Sequence, residues 1–324
     1  MNNKSDLIIV TGGAGFIGSN LVTALNTLGL ENIIVVDSLN ESEKWKNLVG
    51  LNFTDYLDKK DFIEKIAKGS FDYIKAKAIF HLGACSRTTE RDSDYLLKNN
   101  TIYTKKIALY AIERDIPFFY ASSAATYGDG KKGYLDDEEK LIELNPSNAY
   151  GFSKHLFDLW AHKKGWLKKI TGFKFFNVFG PNESHKTGMT SIVYNAYHQI
   201  KETGMMKLFK SDNPSYKDGE QKRDFVYVKD VVSILVWFLE NPGYKGIYNI
   251  GSGNTTTWKY ITECVFKAMN RKPDIEYIDM PEILKGKYQY FTCASIEKLK
   301  KIYPMRFTST ENSVKDYVEN YLMK

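Results

Sequence analysis

The chain has 324 residues, 43% hydrophobic and 26% charged, a size and composition that support a buried core and exclude a disordered tail protein. Lysine and arginine outnumber aspartate and glutamate by 45 to 39, a net charge of +6, with the lysines dispersed; this argues against a nucleic-acid-binding stripe and favours a small anionic partner. No signal peptide or membrane span is expected, since the longest apolar stretch, 231–239, is about half a membrane-crossing helix, and three widely spaced cysteines (Cys85, Cys264, Cys293) fit reduced thiols in a cytoplasm and neither a disulfide framework nor a metal site.

In chain order, short apolar runs bounded by turn residues predict buried strands over 7–11, 33–36, 78–81 and 117–121. Between them, 19–28, 61–68 and 95–114 carry apolar residues at helical spacing; in the last, Leu96, Ile102, Ile107, Leu109 and Ile112 predict a core-facing stripe. Such alternation implies βαβ units, a parallel sheet and right-handed crossovers. Asp55, after a strand-like 51–53, is a candidate adenine contact, with a turn or cap role as the alternative. Beyond residue 176 the rhythm loosens: 177–221 is rich in Gly, Asn, Ser and Lys around one helix near 191–202, 225–239 reads as strand then helix, and 272–304 is irregular. The expected architecture is α/β: a Rossmann-type doubly wound parallel sheet with a smaller C-terminal substrate lobe. Residues 1–176, with 224–260 returning, make the dinucleotide-binding domain; 177–223 and 261–324 make the lobe, with the substrate in the cleft between them.

Thr11-Gly12-Gly13-Ala14-Gly15-Phe16-Ile17-Gly18 joins the first strand to the first helix. Glycines at this spacing and in this context let the backbone approach a pyrophosphate seated on the helix N-terminus. Asp37 ends the second strand, where a carboxylate meets the adenosine ribose. Alone it favours NAD; Lys44 and Lys59, just beyond, are placed to neutralise a 2′-phosphate, so the residues themselves leave NAD and NADP open. Tyr150 and Lys154, four apart, share a helix face, and the ammonium is expected to lower the phenol's pKa. Ser123, at the end of the fifth strand, offers a hydroxyl at the ligand edge of the sheet.

The glycine turn, Ser123 and Tyr150-x-x-x-Lys154, in that order, resemble the extended short-chain dehydrogenase/reductase superfamily, which acts largely on nucleotide sugars. Arg223-Asp224-Phe225-Val226-Tyr227-Val228-Lys229-Asp230 resembles its second-lobe motif, whose arginine grips a diphosphate. Ser123-Ala124-Ala125 carries no acid pair for eliminating water, which points away from the dehydratases. His81-Leu82-Gly83-Ala84-Cys85-Ser86 with Thr88-Thr89-Glu90, Phe176-Asn177-Val178-Phe179-Gly180-Pro181, His185-Lys186 and Leu284-Lys285-Gly286-Lys287-Tyr288-Gln289 together resemble the ADP-L-glycero-D-manno-heptose 6-epimerase family; a nucleotide-sugar 4-epimerase of the UDP-glucose type is the nearest rival.

That resemblance implies an isomerase of lipopolysaccharide core biosynthesis, acting on ADP-heptose with tightly bound NADP, cytoplasmic and homo-oligomeric, with a pentamer as one form the family suggests. It implies acid/base roles for Tyr150 and Lys186, an orienting role for Lys154 and a hydrogen bond from Ser123. The implied cofactor shell is Gly12, Gly15, Phe16, Ile17, Gly18, Asp37, Ser38, Lys44, Lys59, Leu82, Gly83, Ala84, Cys85, Ser86, Asn99, Lys154 and Val178. The implied substrate shell is Ser123, Asn177, Lys186, Gly188, Asn195, Phe209, Lys210, Ser211, Asp212, Arg223 and Tyr288. Thr187-Gly188 stands where the family has Gly-Ser, Asn195 where it has histidine, and the segment before Arg223 is longer than usual.

Overall fold

The computed structural model describes residues 6–71, 74–282, 288–304 and 306–324. Its strands are β1 (Leu7–Thr11), β2 (Ile33–Asp37), β3 (Asp55–Asp58), β4 (Ala76–His81), β5 (Phe118–Ser123), β6 (Thr171–Phe175), β7 (Asn177–Phe179), β8 (Met206–Phe209), β9 (Lys222–Arg223), β10 (Phe225–Tyr227), β11 (Gly246–Ile250), β12 (Thr256–Thr257) and β13 (Ile275–Ile278). The α-helices are α1 (Phe16–Thr27), α2 (Lys59–Ala67), α3 (Ser93–Leu96), α4 (Tyr103–Glu113), α5 (Ala149–Lys163), α6 (Ile192–Thr203), α7 (Val228–Glu240), α8 (Trp258–Ala268), α9 (Glu297–Lys300) and α10 (Thr310–Tyr317).

Seven strands form one parallel sheet in the order β11-β6-β5-β4-β1-β2-β3. The order reverses between β1 and β4, the point where open α/β sheets bind ligands. Alternate residues face opposite layers: Ile8, Val10, Val35, Phe80 and Phe119 join the core beneath α1 and α7, while Ile9, Ile34, Val36, Ile79 and Phe118 join the one beneath α2, α4 and α5. Both sheet faces are therefore dry, which is why the strands read as unbroken apolar runs. The three remaining two-stranded pairs are β7 with β10, β12 with β9 and β13 with β8. Only β11 of the later strands rejoins the main sheet. Among the described residues no helix is long and apolar enough to cross a membrane.

Three expectations need correction. The helix expected over 95–114 is α3, a π-helical turn (Leu97–Ile102) and α4. Leu96 and Ile107, eleven apart, share a helix face and are buried, while Ile102 and Leu109 fall on the opposite face and are exposed. The run 51–53 is not a strand; Leu51 and Phe53 pack against the first core layer and the strand starts at Asp55. Asp55 thus sits at the end of β3 opposite the ligand edge, exposed and bonded to the Tyr56 amide (2.8 Å), and is no adenine contact. The stretch 272–304, expected to be irregular, contains β13 and α9.

Beneath the edge of β5 lies a buried ion pair. Lys174 and Asp158 have no solvent exposure and meet at 2.7 Å. Asp158 also accepts from Tyr120 Oη (2.9 Å) and Ser122 Oγ (2.7 Å), and Lys174 donates to Thr126 Oγ1 (2.6 Å). Removing one partner leaves a buried charge uncompensated, so Lys174→Met is expected to cost about 3–5 kcal/mol in urea unfolding. Lys174→Met/Asp158→Leu is expected to recover only part of that, because Tyr120 and Ser122 lose their acceptor.

Candidate active site

The ends of β1, β2, β4 and β5, the start of α5 and the loop after β7 converge on a cleft of about 690 Å³. Its floor is the turn from β1 into α1. Gly12 has φ 71°, and a Cβ there would lie 2.5 Å from the Gly83 amide nitrogen, so two chain segments pass with no room for a side chain. Behind them His81 is buried and bridges Thr11 Oγ1 (2.6 Å) and Thr104 Oγ1 (2.8 Å). Burial drops its pKa to about 3, so it is a neutral structural strut. Unlike α2, α5, α6 and α8, α1 begins without a side-chain cap; its first N–H groups have no intrahelical partner. An uncapped helix start and a side-chain-free turn are what a dinucleotide's pyrophosphate requires.

Asp37 closes the next corner. Its carboxylate accepts from the Ala14 amide (3.0 Å), the Ser38 amide (2.7 Å) and Lys44 Nζ (2.6 Å), bracing the glycine turn. Lys59 donates to Asn99 Oδ1 (2.9 Å). Burial, then the nearby Lys44 charge, pulls the Lys59 pKa down. Asn100, buried, holds the far wall by pairing with both the amide (2.8 Å) and the carbonyl (3.0 Å) of Cys85.

The reacting end is built by α5. Asn148 caps it, accepting from the Gly151 amide (2.7 Å), and places Tyr150 on the first turn. A Cβ on Gly151 would lie 2.6 Å from the Ala125 carbonyl, so the helix start is pressed onto the turn after Ser123. Ser123 lies close enough to Tyr150 to favour the ionised phenol. Lys154 Nζ donates to the Ala121 carbonyl (2.8 Å), and burial lowers its pKa to about 8 against the raising pull of Asp158. Contrary to expectation, the Tyr150 pKa is raised: desolvation outweighs the lowering influence of Ser123, and Lys154 is turned to a carbonyl. From the opposite rim, Lys186 lies over the Phe16 ring at 5.1 Å, its pKa lowered by burial.

Every residue of the expected cofactor shell lines this cleft, as do Ser123, Tyr150, Lys154 and Lys186. The rest of the substrate shell does not. Arg223 is buried, and its guanidinium lies over the Tyr288 ring at 5.4 Å. Asp212 meets the Tyr290 hydroxyl through its amide (2.9 Å), and the Ser211 amide donates to Asp218 (2.8 Å). Lys210 is exposed and paired with Asp279 (3.0 Å), and Phe209 ends β8. Asn177 and Gly188 are exposed outside the cleft, and Asn195 is exposed and tied to Thr190 Oγ1 (2.7 Å), a short polar residue satisfied locally in place of the expected histidine. Leu284, Lys285, Gly286 and Lys287 lie outside the described residues. Asn100, Asp158, Lys174 and Glu183 were missed by the sequence reading. Their one signal is polarity inside an apolar or loop segment, which does not separate a buried strut from a solvated side chain.

Over residues 8–251 the chain matches the NAD dependent epimerase/dehydratase family. It is 50% identical over 317 residues to the ADP-L-glycero-D-manno-heptose-6-epimerase of Nitratidesulfovibrio vulgaris (strain DP4), covering 98% of each chain. It is 47% identical over 329 residues to the protein of the same name from Fusobacterium nucleatum, again covering 98% of each. Its fold is similar to the crystal structure of the Helicobacter pylori ADP-L-glycero-D-manno-heptose-6-epimerase, with TM-score 0.82, 25% identity and coverage of 99% and 98%.

Helix propensity alone favours Gly151→Ala by about 1 kcal/mol. The close approach to Ala125 predicts the reverse. The variant is expected to melt lower and to lose turnover by about tenfold or more, because α5 must retreat from Ser123; a thermal melt and a rate assay check it.

Proposed function

The chain belongs to the NAD-dependent epimerase/dehydratase family, and we propose that within it this protein inverts C6 of ADP-D-glycero-β-D-manno-heptose to the L-glycero epimer, a step toward the lipopolysaccharide inner core. The observation that carries this reading is the opening of Ser123, Tyr150, Lys154 and Lys186 into the same cleft as the glycine turn. A phenol and a second, partly desolvated lysine on opposite rims provide two proton-handling groups, which inversion at one carbon needs.

The cofactor is a nicotinamide dinucleotide, and its fit rests on the uncapped α1 start and the side-chain-free turn. We read it as NADP: Lys44 offsets Asp37, and Lys59 is crowded by the like charge of Lys44, a pairing that an added phosphate dianion relieves. When bound, the nicotinamide supplies a hydride acceptor and donor for C6. Ser123 then hydrogen-bonds the reacting oxygen. Tyr150 takes and returns the proton of the C6 hydroxyl in one epimer, and Lys186 does so in the other after the sugar turns. Lys154 orients the cofactor's ribose beside Tyr150. The segments 177–223 and 261–324 form the substrate lobe, where Arg223, buried and with no carboxylate partner among the described residues, takes the diphosphate.

Purified protein given ADP-D-glycero-β-D-manno-heptose is expected to reach an equilibrium of both epimers by NMR, while UDP-galactose stays unchanged. Tyr150→Phe and Lys186→Met are each expected to lose about 10²–10⁴-fold in turnover with the nucleotide still bound; full activity of Lys186→Met contradicts the two-base scheme. Lys59→Ala is expected to weaken NADP about 10–100-fold and NAD little, by titration of the stripped protein.

A further inference from the structure

Glu183 has no part in the reading above, yet it is fully buried beside it. Its carboxylate accepts from the Ser191 amide (2.6 Å), from Ser191 Oγ (2.6 Å) and, at longer range, from the Gly180 amide (3.4 Å). Tyr317 of α10 faces it, and burial and then the carboxylate's charge raise the Tyr317 pKa. A buried carboxylate carries a desolvation cost, and here burial pushes its pKa up against those hydrogen bonds. A solvent-facing loop has no need of such a group.

Its place in the loop accounts for it. Gly180 and Ser191 are the two ends of the segment that leaves β7, carries Lys186 and enters α6. One carboxylate reaches both ends and closes the neck. Inside the loop, the Glu183 carbonyl accepts the Lys186 amide (3.0 Å) and the Lys186 carbonyl accepts the Met189 amide (2.7 Å). The near side is fastened to the cofactor turn: Asn20 Nδ2 donates to the Pro181 carbonyl (2.9 Å), Asn182 Nδ2 to Ser19 Oγ (3.0 Å), and Asn47 Nδ2 to the carbonyls of Ala14 (3.0 Å) and Asn182 (3.2 Å). We propose that Glu183 is the positioning residue of Lys186, its carboxylate closing the neck of the 180–191 loop so that the ammonium is held over Phe16 at the cleft mouth. This rests on the reading of Lys186 as a proton-handling group.

The carboxylate also supplies the nearby negative charge that opposes the burial of Lys186. The other titratable groups here are Tyr194 of α6 and Tyr317 of α10, which face Glu183 and whose pKa values are raised, and His185 with Lys44 behind it. Burial lowers the His185 pKa; Asp37, also facing His185, is engaged by Lys44 and two amides, and Glu183 is the carboxylate whose charge acts on Lys186.

Glu183→Gln keeps the size and removes the charge; Ser191→Ala keeps the charge and removes one donor to it together with the α6 cap on the Tyr194 amide. Both are compared as nucleotide-loaded enzymes with wild type and Lys186→Met. Glu183→Gln is expected to lower kcat about 10–100-fold and to move the lysine limb of the kcat–pH profile to lower pH by about one unit, because an ammonium without its carboxylate loses its proton sooner. Ser191→Ala is expected to lower kcat about threefold with the limb in place. Wild-type kcat in Glu183→Gln, or a fall in kcat with no movement of the limb, overturns the proposal. If Glu183→Gln does not fold, wild-type kcat in Ser191→Ala overturns it and the threefold fall supports it. Full activity of Lys186→Met overturns the Lys186 reading itself, a result distinct from a failure of the Glu183 variants.

Discussion

Positive charge withdrawn from water is the constraint around which this structure is arranged. Lys154, Lys186, Lys59 and Arg223 are each shifted in the direction that burial dictates for a cation, and each is shifted chiefly by desolvation. Carboxylates near them are engaged elsewhere or held in place: Asp158 by Lys174, Asp37 by Lys44 and two amides, and Glu183 by Ser191. The result is a cleft with Lys44 and Lys59 at the glycine-turn end and two partly desolvated lysines, Lys154 and Lys186, at the other. A dianionic nucleotide and a reversible proton transfer suit the two halves of that arrangement, and both follow from the same burial.

Strand positions were legible because both faces of the sheet are dry. Ile8 to Val10 and Ile33 to Val36 read as uninterrupted apolar runs, and β1, β2, β4 and β5 lie within a few residues of expectation. The reading failed where phase mattered more than composition. Ile102 and Leu109 carry the right residue type for a core stripe, but at 100° per residue they fall on the face opposite Leu96 and Ile107, and they are exposed. The early placement of the third strand had a similar cause: Leu51 and Phe53 are apolar because they pack against the sheet's first layer from a connecting segment.

The chemistry-bearing residues were legible because each depends on type and local spacing. A turn without side chains, a tyrosine and lysine one helical turn apart and a serine at a strand end can be read without coordinates. What holds them could not. Asn100 reaches Cys85 across a layer, Glu183 joins the two ends of a loop, and Gly151 matters because a carbonyl from another segment passes close to it. The expected lowering of the Tyr150 pKa failed for the same reason, since the direction of Lys154 is set by the Ala121 carbonyl, a tertiary contact. The expected substrate shell departs furthest from expectation at Asn177 in β7, Gly188 in the loop and Asn195 in α6, all exposed outside the cleft.

The account's central claim is that C6 gives up a hydride inside the cleft and receives the same one back, with only the hydroxyl proton handled by Tyr150 and Lys186. Epimerisation of substrate carrying deuterium at C6, run in ordinary water and followed by NMR and mass spectrometry, tests it directly. The account predicts that the label stays at C6 in both epimers through many turnovers; loss of the label to solvent would contradict it, because the inversion would then proceed by removing C6–H as a proton.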